Sequence, residues 1–151
     1  MKNQKGFSLV ELLVVVIIIA IIAAIAIPNL LASRRAANES ATISNLRTVH
    51  SAQATFQALD PDQEYGTLTE LGGANLLDDN LGTATPTKSG YEYTEAAAPA
   101  GGYCVEAHPT TTTVTGTRTF GIDSDGVINF HASTTLTCPA TFIITGGAAI
   151  P

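Results

Sequence analysis

The chain has 151 residues, a single-domain length that excludes multidomain machinery. Seven Lys and Arg face thirteen Asp and Glu, for a formal net charge of -6, and two of the seven cations, Lys2 and Lys5, lie in the first six residues. An acidic body of this kind has no general attraction for phosphate backbones or anionic headgroups, which excludes nucleic-acid binding as a bulk property.

Hydrophobicity is concentrated at the start. Residues 7–27 read FSLVELLVVVIIIAIIAAIAI, with Ser8 and Glu11 as the only polar members. Twenty-one residues of α-helix reach about 31 Å, enough for the roughly 30 Å hydrocarbon core of a bilayer. The run is too long for the apolar region of a cleaved secretory signal, and Ala24, Ala26 and Pro28-Asn29 make a poor cleavage site behind it. Glu11 is the informative residue, because a carboxylate within a spanning segment costs about 2.5–3.5 kcal/mol on insertion scales and marks function. No Lys or Arg follows until Arg34 and Arg35, so its partner must be a headgroup, the chain's own N-terminus or another subunit.

The stretch KGFSLVELLVVVIIIAIIAAIAIP resembles the leader and N-terminal helix of type IV pilins and of the related type II secretion pseudopilins. The features in register are the short basic leader, the Gly6-Phe7 junction, Glu11 four residues on, the unbroken aliphatic run and Pro28 near its end. The resemblance covers residues 7 to about 56. It implies that a prepilin peptidase cuts between Gly6 and Phe7, that the new Phe7 amine is methylated, and that Glu11 pairs with the Phe7 amine of a neighbouring copy. It also implies a homo-oligomeric helical filament, built by inner-membrane assembly machinery from a membrane-held precursor and then carried outside the cell. No cofactor is expected, and the role is structural, not enzymatic.

Pro28 is expected to kink or loosen the helix without ending it. Beyond it no Gly or Pro occurs until Pro61, and Ile43, Leu46, Val49, Ala52, Phe56 and Leu59 recur every three or four residues, the pattern of an amphipathic helix. One helix over residues 7–58 would be about 78 Å long. Family members often carry a glycine eight residues before this proline, where Ala20 stands here, so unwinding on assembly has less support. Asp60-Pro61-Asp62 stops the helix, and a loop-rich stretch containing Gly72-Gly73 and Asp78-Asp79-Asn80 runs to about Gly90. Strands are expected over 91–95, 103–107, 115–122, 127–132 and 142–145, half-buried by alternation as in Tyr91-Glu92-Tyr93.

The expected fold is therefore α+β: a long kinked N-terminal helix whose C-terminal half packs on a small antiparallel β-sheet, the pilin fold. Its parts are a cleaved leader (1–6), a transmembrane and filament-core helix (7–29), its amphipathic continuation (30–59), and a loop-and-sheet head (60–151) with a C-terminal disulfide loop.

Cys104 and Cys138 are the only cysteines, in the part that would lie outside the inner membrane where oxidation is expected, and a disulfide between them would close a loop of the kind type IV pilins carry. A Cys104, His108, His131 and Cys138 zinc site is the alternative, at spacings that match no standard pattern. Asp123-Ser124-Asp125-Gly126 reads as a hairpin turn, with Asp123 and Asp125 as a weak calcium candidate that would favour a pseudopilin. Arg34 and Arg35 are candidates for headgroups or acidic neighbours, against a plain solvated face. His50 reads as packed or surface polar, and the sequon Asn38-Glu39-Ser40 as chance in mid-helix. No GxSxG, HExxH, P-loop or GxGxxG pattern occurs. The leading expectation is a major-type pilin, with a major secretion pseudopilin as alternative and, from another class, a membrane-anchored periplasmic binding or enzymatic domain.

Overall fold

The structure, a computed structural model, describes residues 6–98, 101–132 and 148–150, the side chains of 96–98 excepted. Helix α1 runs over Leu9–Leu59 and contains Pro28. The chain divides into two compact units, Met1–Arg34 and Arg35–Pro151. In the first, the described residues from Leu9 on are helical, and every large aliphatic side chain from Leu9 to Leu31 is exposed. Pro28 does not end the element: the helix continues through it.

The second unit is built on the C-terminal half of α1. Its buried positions are Glu39, Thr42, Leu46, Val49, Ala52 and Gln53, at the three- and four-residue spacing of one helix face. The sequence stripe is thus half right. Leu46, Val49 and Ala52 are buried and Ile43 and Phe56 pack at the margin, but Leu59 is 72% exposed, and three polar residues continue the seam where apolar ones were sought. Each of the three is hydrogen-bonded, which is the condition for burying it. Thr42 Oγ1 donates to the Asn38 carbonyl at 2.9 Å, and Gln53 clasps Gly66 in both directions, Nε2 to O at 2.6 Å and N to Oε1 at 3.1 Å.

Where a loop was expected, a short helix α2 (Leu68–Gly73) forms. Thr67 caps it, its hydroxyl accepting from Glu70 N while the Glu70 carboxylate accepts from Thr67 N at 2.7 Å, a reciprocal capping box. Six strands follow as a meander: β1 (Thr87–Lys88), β2 (Tyr91–Ala98), β3 (Gly102–Pro109), β4 (Thr119–Asp123), β5 (Ile128–His131) and β6 (Ala148–Ala149), in sheet order β1-β2-β3-β4-β5-β6, all antiparallel. The expected strand over 142–145 lies outside the described residues. Register aligns Tyr93, Ala107, Phe120, Phe130 and Ala148 in one row across the sheet, and residues in a row share a face. Tyr93 reaches α1 through Asn45 (2.9 Å from Nδ2 to the phenol), and Tyr103 hydrogen-bonds His50. His50 is therefore a packed polar residue.

Two expectations about the sheet change. Alternation held for β2, where Tyr91 and Tyr93 are buried and Glu92 exposed, but all five residues of β4 are buried, as are Cys104 and Val105 on successive positions of β3. Both faces are covered at the centre of the sheet, so burial there has no period of two. β4 also begins at Thr119 instead of residue 115, because residues 115–118 bind the helix, as described below.

Between α2 and β1 the backbone crosses itself. A Cβ at Gly72 would stand 2.4 Å from the Gly82 carbonyl oxygen, whereas one at Gly73 would meet nothing within 4 Å. Gly72→Ala should therefore destabilise the head by about 1–3 kcal/mol, read as a lower urea midpoint at unchanged slope, while Gly73→Ala should change little. Equal effects at the two positions would contradict this packing.

Candidate functional site

Nineteen residues, 9–27, contain Glu11 as their one ionisable group. Aliphatic side chains occupy every side of this helix, so no face of it is suited to water. Phe7 is 87% exposed and Ile25 65% exposed, and this segment is long and apolar enough to cross a membrane. Gly6 and Phe7 precede the helix in non-helical conformation, with open space where a side chain on Gly6 would be.

Glu11 has a partner within its own chain. Its Oε2 accepts the Ser8 backbone N–H at 2.9 Å, one of the orphan donors at a helix start. Ser8-Leu9-Val10-Glu11 is the Ser-x-x-Glu spacing of a capping box, with the glutamate returning to the cap residue's amide. The Ser-x-x-Glu spacing itself is legible in the sequence, beside the charge within a spanning segment and the neighbour pairing that the resemblance implies for Glu11. The carboxylate also sits in the first turn, where the helix dipole favours it.

In the second unit, three residues of α1 grip the loop between β3 and β4. Arg35 Nη1 donates to the Thr113 carbonyl at 3.1 Å, Asn38 Nδ2 to the Thr115 carbonyl at 2.9 Å, and Glu39 Oε1 accepts both the Thr117 N–H at 3.0 Å and its hydroxyl at 2.9 Å. Helix positions i, i+3 and i+4 thus meet alternate residues of a turn-rich strap. Glu39 completes it with Arg118, whose Nε and Nη2 lie 2.8 and 2.7 Å from Oε2. The guanidinium is held in turn over the Phe120 and Phe130 rings, 5.2 and 5.1 Å from their centroids. Burial alone would raise the Glu39 carboxyl; the Thr117 amide, Arg118 and the Thr117 hydroxyl outweigh it and hold the group below its ordinary value of 4.5. Gly116 lies in this loop because a Cβ there would fall 1.9 Å from the Tyr91 hydroxyl, which donates to the Arg118 carbonyl at 2.9 Å.

This strap settles where two residues singled out in the sequence lie. Arg35 bonds the strap instead of standing on a solvated face, while Arg34 is exposed. Asn38 of the sequon has its amide committed to Thr115. Asp123 is buried, and its Oδ1 accepts the Asp125 N–H at 3.1 Å while its carbonyl accepts from Gly126 at 2.9 Å, the arrangement of the expected hairpin turn. Gly126 takes a φ of +76° and gives the His50 ring room, since a Cβ would stand 2.8 Å from Nε2. Cys104 is fully buried on β3, opposite Asp123; Cys138 lies outside the described residues. Among the described residues no three His, Cys, Asp or Glu side chains are grouped closely enough to hold a metal ion.

Residues 1–27 match the prokaryotic N-terminal methylation motif. The chain is 42% identical over 57 residues to the type IV wide pilus major component PilA4 of Thermus thermophilus, an alignment covering 38% of this chain and 44% of that protein. It therefore spans less than half the length of the relative it matches. No solved structure matches the chain.

The strap makes head stability acid-sensitive. Because the Glu39 carboxyl is depressed in the folded state, its contribution is fully present above pH ~4.5 and is lost as pH falls through the lower folded value. Glu39→Gln should cost about 1–3 kcal/mol at pH 7 and flatten the acid limb of the stability profile, measured by urea unfolding of the full chain in detergent between pH 3 and 7. An unchanged acid limb would show that the strap carries none of it.

Proposed function

We propose that the chain, which begins with the processing signal and apolar helix of a type IV pilin, is a structural subunit of a type IV pilus of the major kind. The observation that carries the reading is the helix over 9–27: it is apolar on all sides with every large aliphatic side chain exposed, it stands directly behind Gly6-Phe7, and it holds Glu11 in its first turn. Cutting before such a run, instead of after it, leaves it on the mature protein as the surface of assembly.

The mechanism is association. Prepilin peptidase cuts the inner-membrane precursor between Gly6 and Phe7, and the freed Phe7 amine is methylated. Lipid tails are as apolar as leucine, so exchanging bilayer for the helices of other copies is driven by close packing and needs little net hydrophobic gain. Glu11 decides the register. Among the described residues of the lone subunit its carboxylate bonds the neutral Ser8 amide, whereas the Phe7 ammonium of a neighbour offers a charge-assisted bond in a low-dielectric core. Pro28 lies at the outer end of this surface. The acidic head, held to the helix by the Glu39 strap, faces solvent on the resulting extracellular filament. A Cys104–Cys138 disulfide staples the C-terminal part of the head. Partners are other copies of the chain, the peptidase, the membrane and the assembly machinery.

Major secretion pseudopilins share the processing and the helix. The pilin reading is preferred because the aligned relative is a wide-pilus component and because the sequence carries a pair of cysteines in the head, Cys104 and Cys138.

Filaments sheared from expressing cells should contain this chain as the dominant protein, starting at methylated Phe7 and with Cys104 and Cys138 oxidised, as read by mass spectrometry. Glu11→Val should leave processing intact and remove the filaments. Reduction of the disulfide should lower head stability by about 2–4 kcal/mol. A processed chain confined to the envelope would favour the pseudopilin, and an intact Met1 or Lys2 start would sink both readings.

A further inference from the structure

From Ala36 to Leu59, the part of α1 that carries the head, the acidic and basic side chains are Glu39 and Arg47 alone. Glu39 is buried in the strap, whereas Arg47 is exposed and its guanidinium bonds no group among the described residues. Around it the exposed surface is made of short side chains such as Ser40, Ser44, Thr48, Ser51 and Thr55. Three of their hydroxyls are committed to the helix itself: Thr48 Oγ1 donates to the Ser44 carbonyl at 3.1 Å, Ser51 Oγ to the Arg47 carbonyl at 3.1 Å and Thr55 Oγ1 to the Ser51 carbonyl at 2.9 Å. A helix face that serves water alone is laced with charge. This one sets a single cation on a surface low enough for another chain to come close.

The complement to that cation lies at the far end of the same helix. Residues 48–87 hold six carboxylates, Asp60, Asp62, Glu64, Glu70, Asp78 and Asp79, and no Lys or Arg. Lys88 pairs with Asp78, and Glu70 serves the cap of α2, whereas Asp62 is exposed in the turn that ends α1 and Glu64 follows it. Arg47 does not reach that corner in its own chain. The Asp60 amide still bonds the Phe56 carbonyl at 2.9 Å, so the helical path extends to residue 60. Thirteen residues of helix separate the two positions by about 20 Å along the axis and about 140° around it. Parallel copies related by a shift touch through different, opposed faces, the head-to-tail contact that builds an open filament instead of a closed dimer. A shift of about 20 Å sets the Arg47 side of one helix against the acidic corner of the next.

We propose that the exposed face of α1 around Arg47 docks a second copy of this chain, with the Arg47 guanidinium on the acidic corner Asp60, Asp62 and Glu64 of that copy. The pairing rests on the pilin reading and extends it from the apolar helix to the heads. An exposed ion pair adds little affinity, so its effect is to select the axial step between copies: in other registers Arg47 meets neutral hydroxyls.

The test uses the full, processed chain in sheared filaments. Arg47→Lys keeps the charge and supplies an amine, which a water-soluble carbodiimide joins to a carboxylate in contact with it. Mass spectrometry should find position 47 joined to Asp60, Asp62 or Glu64, a link that the separation of about 20 Å forbids within one chain. A link between Lys88 and Asp78, paired within one head, reports that the reagent acted. Arg47→Glu should leave processing and the urea midpoint of the head unchanged and lower filament yield roughly tenfold or more, and Asp62→Arg in the same chain should restore most of it. Filaments of normal yield from Arg47→Glu overturn the pairing, as does a position 47 joined to none of the three carboxylates while the control link forms. If the wild-type chain forms no filament at all, the pilin reading itself fails and the pairing with it; in the other two outcomes the pilin reading stands and the pairing alone falls.

Discussion

Nearly everything in this molecule follows from one constraint: an aliphatic rod of some nineteen residues that water will not tolerate on any side. A soluble helix shows one apolar stripe and hides it against its own domain. Residues 9–27 show no stripe, so only lipid or other chains can cover them. Placing this rod at the very start of the chain makes its covering an intermolecular affair. The rest of the sequence has then to meet a different requirement, a soluble head attached to the same helix without adding to its apolar surface.

The helix meets that second requirement by changing chemistry part of the way along. From Arg35 onward its contacts to the head combine a narrow apolar seam of Leu46, Val49 and Ala52 with polar grips at both ends: Arg35, Asn38 and Glu39 on the strap, Gln53 on Gly66. Polar contacts of this kind are worth little net when compared with water, but they are directional. They fix where along the helix the sheet sits, which apolar contacts alone do loosely. The row from Tyr93 to Phe130 and the Asn45 and His50 bonds to Tyr93 and Tyr103 then hold the sheet at one rotation about the helix.

What the sequence made legible was local. The apolar run, Glu11 and Pro28 in register identify the N-terminal third, and the alternation around Tyr91 and Tyr93 places β2. The misses have physical causes. Glu39 and Arg118 lie 79 positions apart, and nothing near either residue in sequence marks them as a pair. The same long-range demand delays the start of β4, because residues 115–118 serve the helix before they can serve the sheet. Helix α2 was short enough to escape a search for periodicity, although Thr67-x-x-Glu70 announces its cap, just as Ser8-x-x-Glu11 announces the start of α1. Gln53 and Thr42 were missed because a seam was sought in apolar residues only.

Among the described residues the two outer strands of the sheet, β1 and β6, are two residues each, and β1 pairs only with Tyr91 and Glu92 of β2. A long bare edge offers its amides and carbonyls to any strand that comes near, and heads arrayed along a fibre would stand close to many copies of themselves. Lys88 on β1 and the carboxylate of Glu95, turned onto the Leu68 amide at 2.5 Å, add charge beside that margin. Short strands and charge at these margins lower the tendency of identical heads to join strand to strand into an amyloid-like ribbon.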